Sequence, residues 1–355
     1  MKLTHEVVTV HTTHPFIIAR GGRSEYRTVW VRIEDGDGVE GWGEAAPSGF
    51  YGESAESVVA ALDRMMPVLQ KADAWSLDTI DVELERAVRL NGSARSAVSA
   101  ALHDLAGKRL GVPVYRLWGL DPARAPQSSF TIGIAPSLDV LRARVQEAAQ
   151  YPILKIKLGS DHDIDIVETV REAAPDKILR VDANAAWTAK HALQMVEVLI
   201  DHEIEFLEQP LAPHDIEGLR FVRDRSPLPI IADESCIVAT DIPKLIGAVD
   251  GINIKLSKCG SLREALKMIA VARAHGLMVM CGCMIETSLG ISAAAHFAPL
   301  LDCADLDGAA LLSDDPFTGA SIAGGTITIP DEPGLGVGRA GRAAAPRSKR
   351  SGGRK

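Results

Sequence analysis

The chain has 355 residues, 46% of them apolar, and a formal net charge of −9 at pH 7. This composition is that of a globular protein and excludes a disordered chain, and no apolar run reaches the ~18 residues a membrane span needs. Seven Arg and Lys residues and no acid follow Pro333, so the body is more acidic than the whole, which argues against nucleic acid as the main partner.

Residues 4–10 (THEVVTV) and 27–33 (RTVWVRI) are rich in β-branched residues and read as strands. Asp-Gly turns follow, then GWGEAAP at 41–47. Helical patterns run over Ser54–Leu69, Thr79–Arg89 and Ser93–Leu110, the last stopped by Gly111-Val112-Pro113. Strands followed by helices, without alternation, predict a small α+β domain over 1–122.

From about residue 125 the pattern alternates. Strand candidates are Ser129–Ile134, Ile153–Leu158, Ile178–Asp182, Ile204–Glu208, Ile230–Asp233, Gly251–Lys255, Leu277–Gly282 and Ala304–Asp307. Helical stretches such as Leu138–Ala149, Ile164–Ala174, Ala189–His202 and Ser261–His275 lie between them. Eight near-regular units predict a parallel α/β barrel over 123–318 rather than an open sheet. No Gly-x-Gly-x-x-Gly follows the first of these strands, which argues against a dinucleotide domain. Thr326–Ile329 reads as a last strand in a segment, 319–338, expected to return to and pack on the first domain. The low-complexity end predicts a basic, disordered tail over 339–355. The five cysteines (236, 259, 281, 283, 303) are odd in number and confined to the second half. With no apolar signal core in the first ten residues, they suggest a reducing, cytoplasmic setting.

In a parallel barrel the chemistry sits at the C-terminal ends of the strands. Asp182, Glu208 and Asp233 end three successive strands, one strand–helix unit apart. Three carboxylates side by side need a counter-charge, and an all-oxygen set suits a hard divalent cation, Mg²⁺ foremost. Unrelated helix caps are the alternative for any one of them taken alone. Lys155 and Lys157 alternate with Leu154, Ile156 and Leu158, so both ammoniums share the barrel's inner face. Lys255 enters from the opposite side of the ring. Burial and like charge both lower a lysine pKa, so one lysine is expected to be neutral and able to act as a base. Asp305-Leu306-Asp307 also places two carboxylates toward the mouth, as further ligands, as a cradle for a cationic group, or as a cap of the following turn. Cys281-Gly282-Cys283 lacks a second thiol pair at zinc spacing and reads as buried strand with a small residue near the site. Ser257-Lys258-Cys259-Gly260 could lie by a phosphate at a helix start. No His-x-x-x-His or Gly-x-Ser-x-Gly is present.

Taken together, GWGEAAP (41–47), KIK (155–157), VDANAAW (181–187), EQP (208–210), ADES (232–235) and NIKLSKCG (253–260) resemble the enolase superfamily, in its muconate-lactonizing-enzyme-like subgroup. The resemblance runs in family order from about residue 3 to 338. It implies a capping domain over a modified (β/α)7β TIM-type barrel. It also implies Mg²⁺ ligands at Asp182, Glu208 and Asp233, acid/base lysines at Lys157 and Lys255, and an enolate-stabilising role for Lys155. CGCMIET (281–287) and DLDG (305–308) look like the dipeptide epimerases, among them the L-Ala-D/L-Glu type. That likeness implies that Asp305 and Asp307 hold a dipeptide's ammonium, with Cys283 beside the substrate. Arg20 and Arg23, in the capping-domain loop 17–25, become candidates for binding a substrate side-chain carboxylate. The expected function is Mg²⁺-dependent inversion of the C-terminal residue of a dipeptide by two-base proton transfer through an enolate, in a possible homo-oligomer. N-acylamino-acid racemase, o-succinylbenzoate synthase and muconate cycloisomerase share the fold but need no ammonium cradle. A Schiff-base aldolase on Lys255 leaves the three carboxylates unexplained, and a non-catalytic scaffold leaves every ligand and base unexplained.

Overall fold

The structure, a computed structural model, describes residues 1–340. The chain opens with a long antiparallel ribbon of β1 (Lys2–Ile18) and β2 (Gly21–Glu34), extended by β3 (Glu40–Ala45). The strands expected at 4–10 and 27–33 are the inner parts of longer ones. The outer part has little apolar alternation because it stands free of the sheet's core, and its register shifts between His11 and Phe16. The ribbon turns at Gly21, whose φ of 98° lies in the left-handed region.

Helices α1 (Ala55–Lys71), α2 (Leu77–Ala87) and α3 (Gly92–Leu110) follow. Ser54 and Ser57 cap the start of α1 reciprocally. Val29, Val31 and Ile33 on β2 bury against Leu62, Met65, Leu69 and Leu105 of the helices. The glycines of GWGEAAP are required by this packing. A Cβ on Gly41 would stand 1.9 Å from the Ala101 carbonyl oxygen, and one on Gly43 2.0 Å from that of Ala97.

The second sheet has eight parallel strands in sequential order: β4 (Phe130–Ile132), β5 (Ile153–Lys157), β6 (Ile178–Asp182), β7 (Ile204–Glu208), β8 (Ile230–Ala232), β9 (Gly251–Ile254), β10 (Met278–Gly282) and β11 (Cys303–Asp305). The ring closes where Ser129 N donates to the Ala304 carbonyl at 3.0 Å beside a Ser128–Ala304 bridge. A helix joins each consecutive pair of strands, while β11 leads only into a 3-10 turn at Gly308–Leu311, which makes the barrel (β/α)7β. Leu154, Ile156 and Leu158 face the helices and are fully buried. Inside the ring, Phe206, Ile231, Met280 and Cys303 form a separate apolar plug. Two residues further along β7 and β11, the same inward face carries Glu208 and Asp305. Below the charged mouth the interior is mostly apolar, with the buried Arg180, two residues before Asp182, packed over the Phe206 ring and bonded to Glu205 and the Ala304 carbonyl.

The C-terminal segment differs from expectation. Thr326–Thr328 pairs with Ser321–Ala323 in a hairpin whose Ile322 and Ile327 join the barrel core, and the Gly325 carbonyl accepts from Ser128 N at 2.8 Å. Contact with the first 122 residues resumes beyond it, where Tyr115 Oη donates to Asp331 at 2.6 Å and Leu335 N to Asp104 at 2.8 Å. Arg339, expected in the tail, instead sits in a short strand paired with Phe317, its guanidinium 5.1 Å from the Trp30 ring. The rest of the tail, 341–355, lies outside the described residues. No helix among the described residues is long and apolar enough to cross a membrane.

Candidate active site

Asp182 and Glu208 end β6 and β7, and Asp233 directly follows β8. All three are buried, with one carboxylate oxygen from each within 4.8 Å of the others. The backbone just beyond them is bent into the left-handed region at residues other than glycine: Asn184 (φ 46°), Ala185 (φ 64°) and Gln209 (φ 36°). Such positions persist only where the surroundings fix them. Here Asn184 N donates to Asp182 Oδ1 at 2.8 Å, and Gln209 Oε1 accepts from the backbone N–H of Asp233 and Ser235 at 2.9 and 3.0 Å. Glu208 Oε1 accepts from Asn253 Nδ2 at 2.7 Å. Its Oε2 lies 2.7 Å from Lys155 Nζ, a fully buried ion pair. Burial, and then the Asp182 charge, push Glu208 up to about 7. Three buried carboxylates crowded into one all-oxygen set fit a hard divalent cation.

The lysines converge on these carboxylates. Lys155, fully buried, lies 2.7 Å from Asp305 Oδ2 and 3.4 Å from Asp182 Oδ2. Lys157 donates to Asp182 Oδ2 at 2.7 Å, and Lys255 to Asp233 Oδ2 at 2.8 Å. The expected lowering of a lysine pKa is not found at Lys155 or Lys255. Burial does disfavour the charge on Lys155 and Lys255. Asp305 and Glu208 around the first, and Asp233 beside the second, outweigh it and hold both well above the ordinary lysine range. Lys258 is not at a phosphate site. It turns inward to Asp233 Oδ1 at 2.6 Å and to the carbonyls of Asp233, Cys236 and Asn253. A Cβ on Gly282 would meet Asn253 and the Lys255 Cε, so this glycine leaves them room.

The two strand-eight aspartates differ. Asp305 accepts from Lys155 Nζ and from Ser129 Oγ, both at 2.7 Å. Although burial opposes it, Lys155 and then Lys157 hold the Asp305 carboxyl down at about 2. Asp307 accepts from Thr131 N at 2.6 Å and has no cation within ion-pair distance among the described residues. Burial and the Asp305 charge push it up to about 7. The Cys283 thiol donates to the Asp305 carbonyl at 3.3 Å, and burial pushes it well above the usual thiol range.

Above these groups lies a cavity of about 910 Å³, walled by Lys157, Lys255, Asp305, Asp307, Thr131 and Cys283 below. Its roof is the tip of the β1–β2 ribbon with the turn Gly49–Tyr51. β5 and β9 stand four strands apart in a ring of eight, so Lys157 and Lys255 reach the cavity from opposite sides. Arg20 is committed within the protein, donating to Glu234 Oε1 at 2.8 Å and to the Asn184 carbonyl at 2.5 Å. Arg23 lines the roof, 5.1 Å from the Tyr26 ring. Gln209, Asn253 and Glu234 were not singled out as site residues from the sequence, and Lys258 was expected by a phosphate instead. Asn253 carried a usable signal, since it lies two residues before Lys255 on one strand face; Gln209 and Glu234 did not.

A parallel barrel with carboxylates and lysines at its strand ends, roofed by an α+β domain, defines a class that sequence models recognise. Residues 2–119 match the N-terminal domain of the mandelate racemase / muconate lactonizing enzyme family, and 140–340 match the enolase C-terminal domain-like family. The chain belongs to this family, within the enolase superfamily. Among its relatives, an L-Ala-D/L-Glu epimerase of Bacteroides thetaiotaomicron is 42% identical over 95% of this chain and 88% of its own. A hydrophobic dipeptide epimerase of Roseobacter litoralis is 39% identical over 95% and 98%. Of solved structures, a dipeptide epimerase from Enterococcus faecalis V583, complexed with Mg and L-Leu-L-Tyr, superposes with a TM-score of 0.90 at 33% identity over 95% of this chain and 98% of that one.

Proposed function

We propose that the protein is a Mg²⁺-dependent dipeptide epimerase that inverts the α-carbon of the C-terminal residue. The observation that carries this reading is the pair of lysines on opposite walls of one cavity, above three clustered carboxylates. Asp182, Glu208 and Asp233 would hold the metal. When bound, Mg²⁺ supplies positive charge against the substrate carboxylate and offsets the anions that keep Lys255 protonated. Lys157 and Lys255 then work as a pair, one taking the α-proton and the other delivering a proton to the opposite face. Epimerisation needs no net proton, and the roles exchange in the reverse direction. Lys155 adds fixed positive charge beneath the reacting carboxylate. Asp307, a buried carboxylate without a cation, would take the dipeptide's ammonium together with Asp305. That fixes the N-terminal residue so that the next α-carbon falls between the lysines. An N-acylamino acid has no ammonium for this cradle, which favours the dipeptide reading.

The side chain of the inverted residue would face the roof. Arg23 is exposed there, with no carboxylate within ion-pair distance among the described residues, and suits an acidic side chain of the L-Ala-D/L-Glu kind. The test is incubation in D₂O with Mg²⁺ and a panel of L,L-dipeptides including Ala-Glu. The expected result is gain of one deuterium at the C-terminal α-carbon, with appearance of the L,D epimer, both abolished by EDTA and restored by Mg²⁺. Absence of exchange with every dipeptide would overturn the proposal.

A further inference from the structure

Arg20 sits at the tip of the β1–β2 ribbon, yet all of its polar contacts are to the barrel. One end of its guanidinium holds Glu234 Oε1 at 2.8 Å and the other the Asn184 carbonyl at 2.5 Å. Its Cζ lies over the ring of Phe50, on the second roof segment, 4.1 Å from the ring centroid. Glu234 is the residue after Asp233, and Asn184 is two residues after Asp182. A single side chain thus spans the loops that carry two of the three clustered carboxylates.

Both partners need such a tie. The Glu234 side chain is 1% exposed, its Oε2 has no hydrogen-bond partner, and it adjoins the buried Asp233 and Asp182, so beside the more distant charge of Lys255 it has Arg20 as its direct ion-pair partner. Asn184 is held in the left-handed region, where contacts must fix a side-chain-bearing residue. A planar guanidinium can bridge two acceptors while stacking on a ring, which a lysine ammonium cannot. On its other side the ribbon is anchored separately, by Ile134 N donating to the Ile17 carbonyl at 2.9 Å.

We infer that Arg20 is a positioning residue that couples seating of the roof ribbon to alignment of the Asp182 and Asp233 loops, and that it does not read the substrate side chain. The kinetic part of its test rests on the epimerase reading; the exchange part does not. Hydrogen–deuterium exchange is compared for the wild type, Arg20→Ala, Glu234→Gln and the double variant. The expected result is faster amide exchange at the ribbon tip, 16–24, in both single variants and no further increase in the double. That means a barrel-loop change loosens the roof. An unchanged tip in Glu234→Gln, or additive increases, overturns the coupling even if no dipeptide proves to be a substrate. Kinetically, Arg20→Ala should lower kcat/KM by roughly 10–100-fold, and equally for Ala-Glu and Ala-Leu, with partial recovery in Arg20→Lys. A loss confined to Ala-Glu would make Arg20 a side-chain reader and overturn the inference.

Discussion

On the floor of the cavity the cations are locked to carboxylates, whereas on the roof Arg23 has none. Lys155, Lys157, Lys255 and Lys258 each lie within 2.8 Å of a carboxylate oxygen and are almost fully buried. Lys155 and Lys157 rise from β5, Lys255 from the end of β9 and Lys258 from the short helix that follows it. The roof is a two-stranded ribbon whose outer half is largely exposed, and one of its two cations nearest the tip is spent on holding the ribbon down. A stiff floor suits chemistry that needs fixed geometry, and an adaptable roof suits selection among side chains. The relatives fit this division, since epimerases named for Glu and for hydrophobic dipeptides are both about 40% identical to this chain.

The comparison can be broken at three points. The largest effect is expected at the edge of the floor. Asp307→Asn removes the carboxylate that lacks a cation and should weaken dipeptide binding by about 2–5 kcal/mol, roughly 30-fold or more, while Mg²⁺ affinity holds. Equal loss of both would make Asp307 part of the metal site. On the roof, Arg23→Ala should cost about 1–2 kcal/mol, roughly tenfold in kcat/KM, for acidic side chains and leave apolar ones unaffected. A uniform loss would remove the roof's selecting role.

The smallest effect lies at the seam between the two domains. Glu44 on β3 accepts from Thr287 Oγ1 at 2.6 Å, and from Thr287 N and Gly290 N. Glu286, close by, accepts from Met284 N at 2.9 Å. Burial pushes Glu44 up to about 7, and burial with the Glu44 charge pushes Glu286 up to about 8. The folded state therefore keeps protons that the unfolded chain releases near 4.5. The stability linked to them is present in acid and falls away as pH rises through 7–8. Thermal melts should show Tm a few degrees lower at pH 9 than at pH 6, a difference that Glu286→Gln reduces. A Tm unchanged between those pH values would contradict the linkage.

The floor was legible in the sequence because each of its residues ends a repeating strand–helix unit. Spacing alone lined up Asp182, Glu208 and Asp233, and period-two alternation put Lys155 and Lys157 on one face. The roof was not. His11-Thr12-Thr13-His14-Pro15 and Gly21-Gly22-Arg23 show no alternation, so the ribbon read as a loop. Arg20 read as a substrate ligand because its partners lie 164 and 214 residues away in the chain. At Lys155 and Lys255 the direction of the pKa shift was hidden for a related reason. Burial can be guessed from one strand, but the carboxylates that outweigh it come from several. Lys258 was misplaced because nothing local says that a short helix after Lys255 will turn it inward.

The most direct test of the two-sided floor is single-face exchange. Lys157→Ala and Lys255→Ala, each Mg²⁺-loaded and confirmed folded by thermal melting, are incubated in D₂O with the L,L and the L,D epimer of one substrate dipeptide. Each variant should lose epimerisation by roughly 10²–10⁴-fold yet still exchange the α-proton of one epimer, and the two variants should retain opposite epimers. Retention of the same epimer by both, or wild-type epimerisation in either, would contradict a pair of bases facing each other across the cavity.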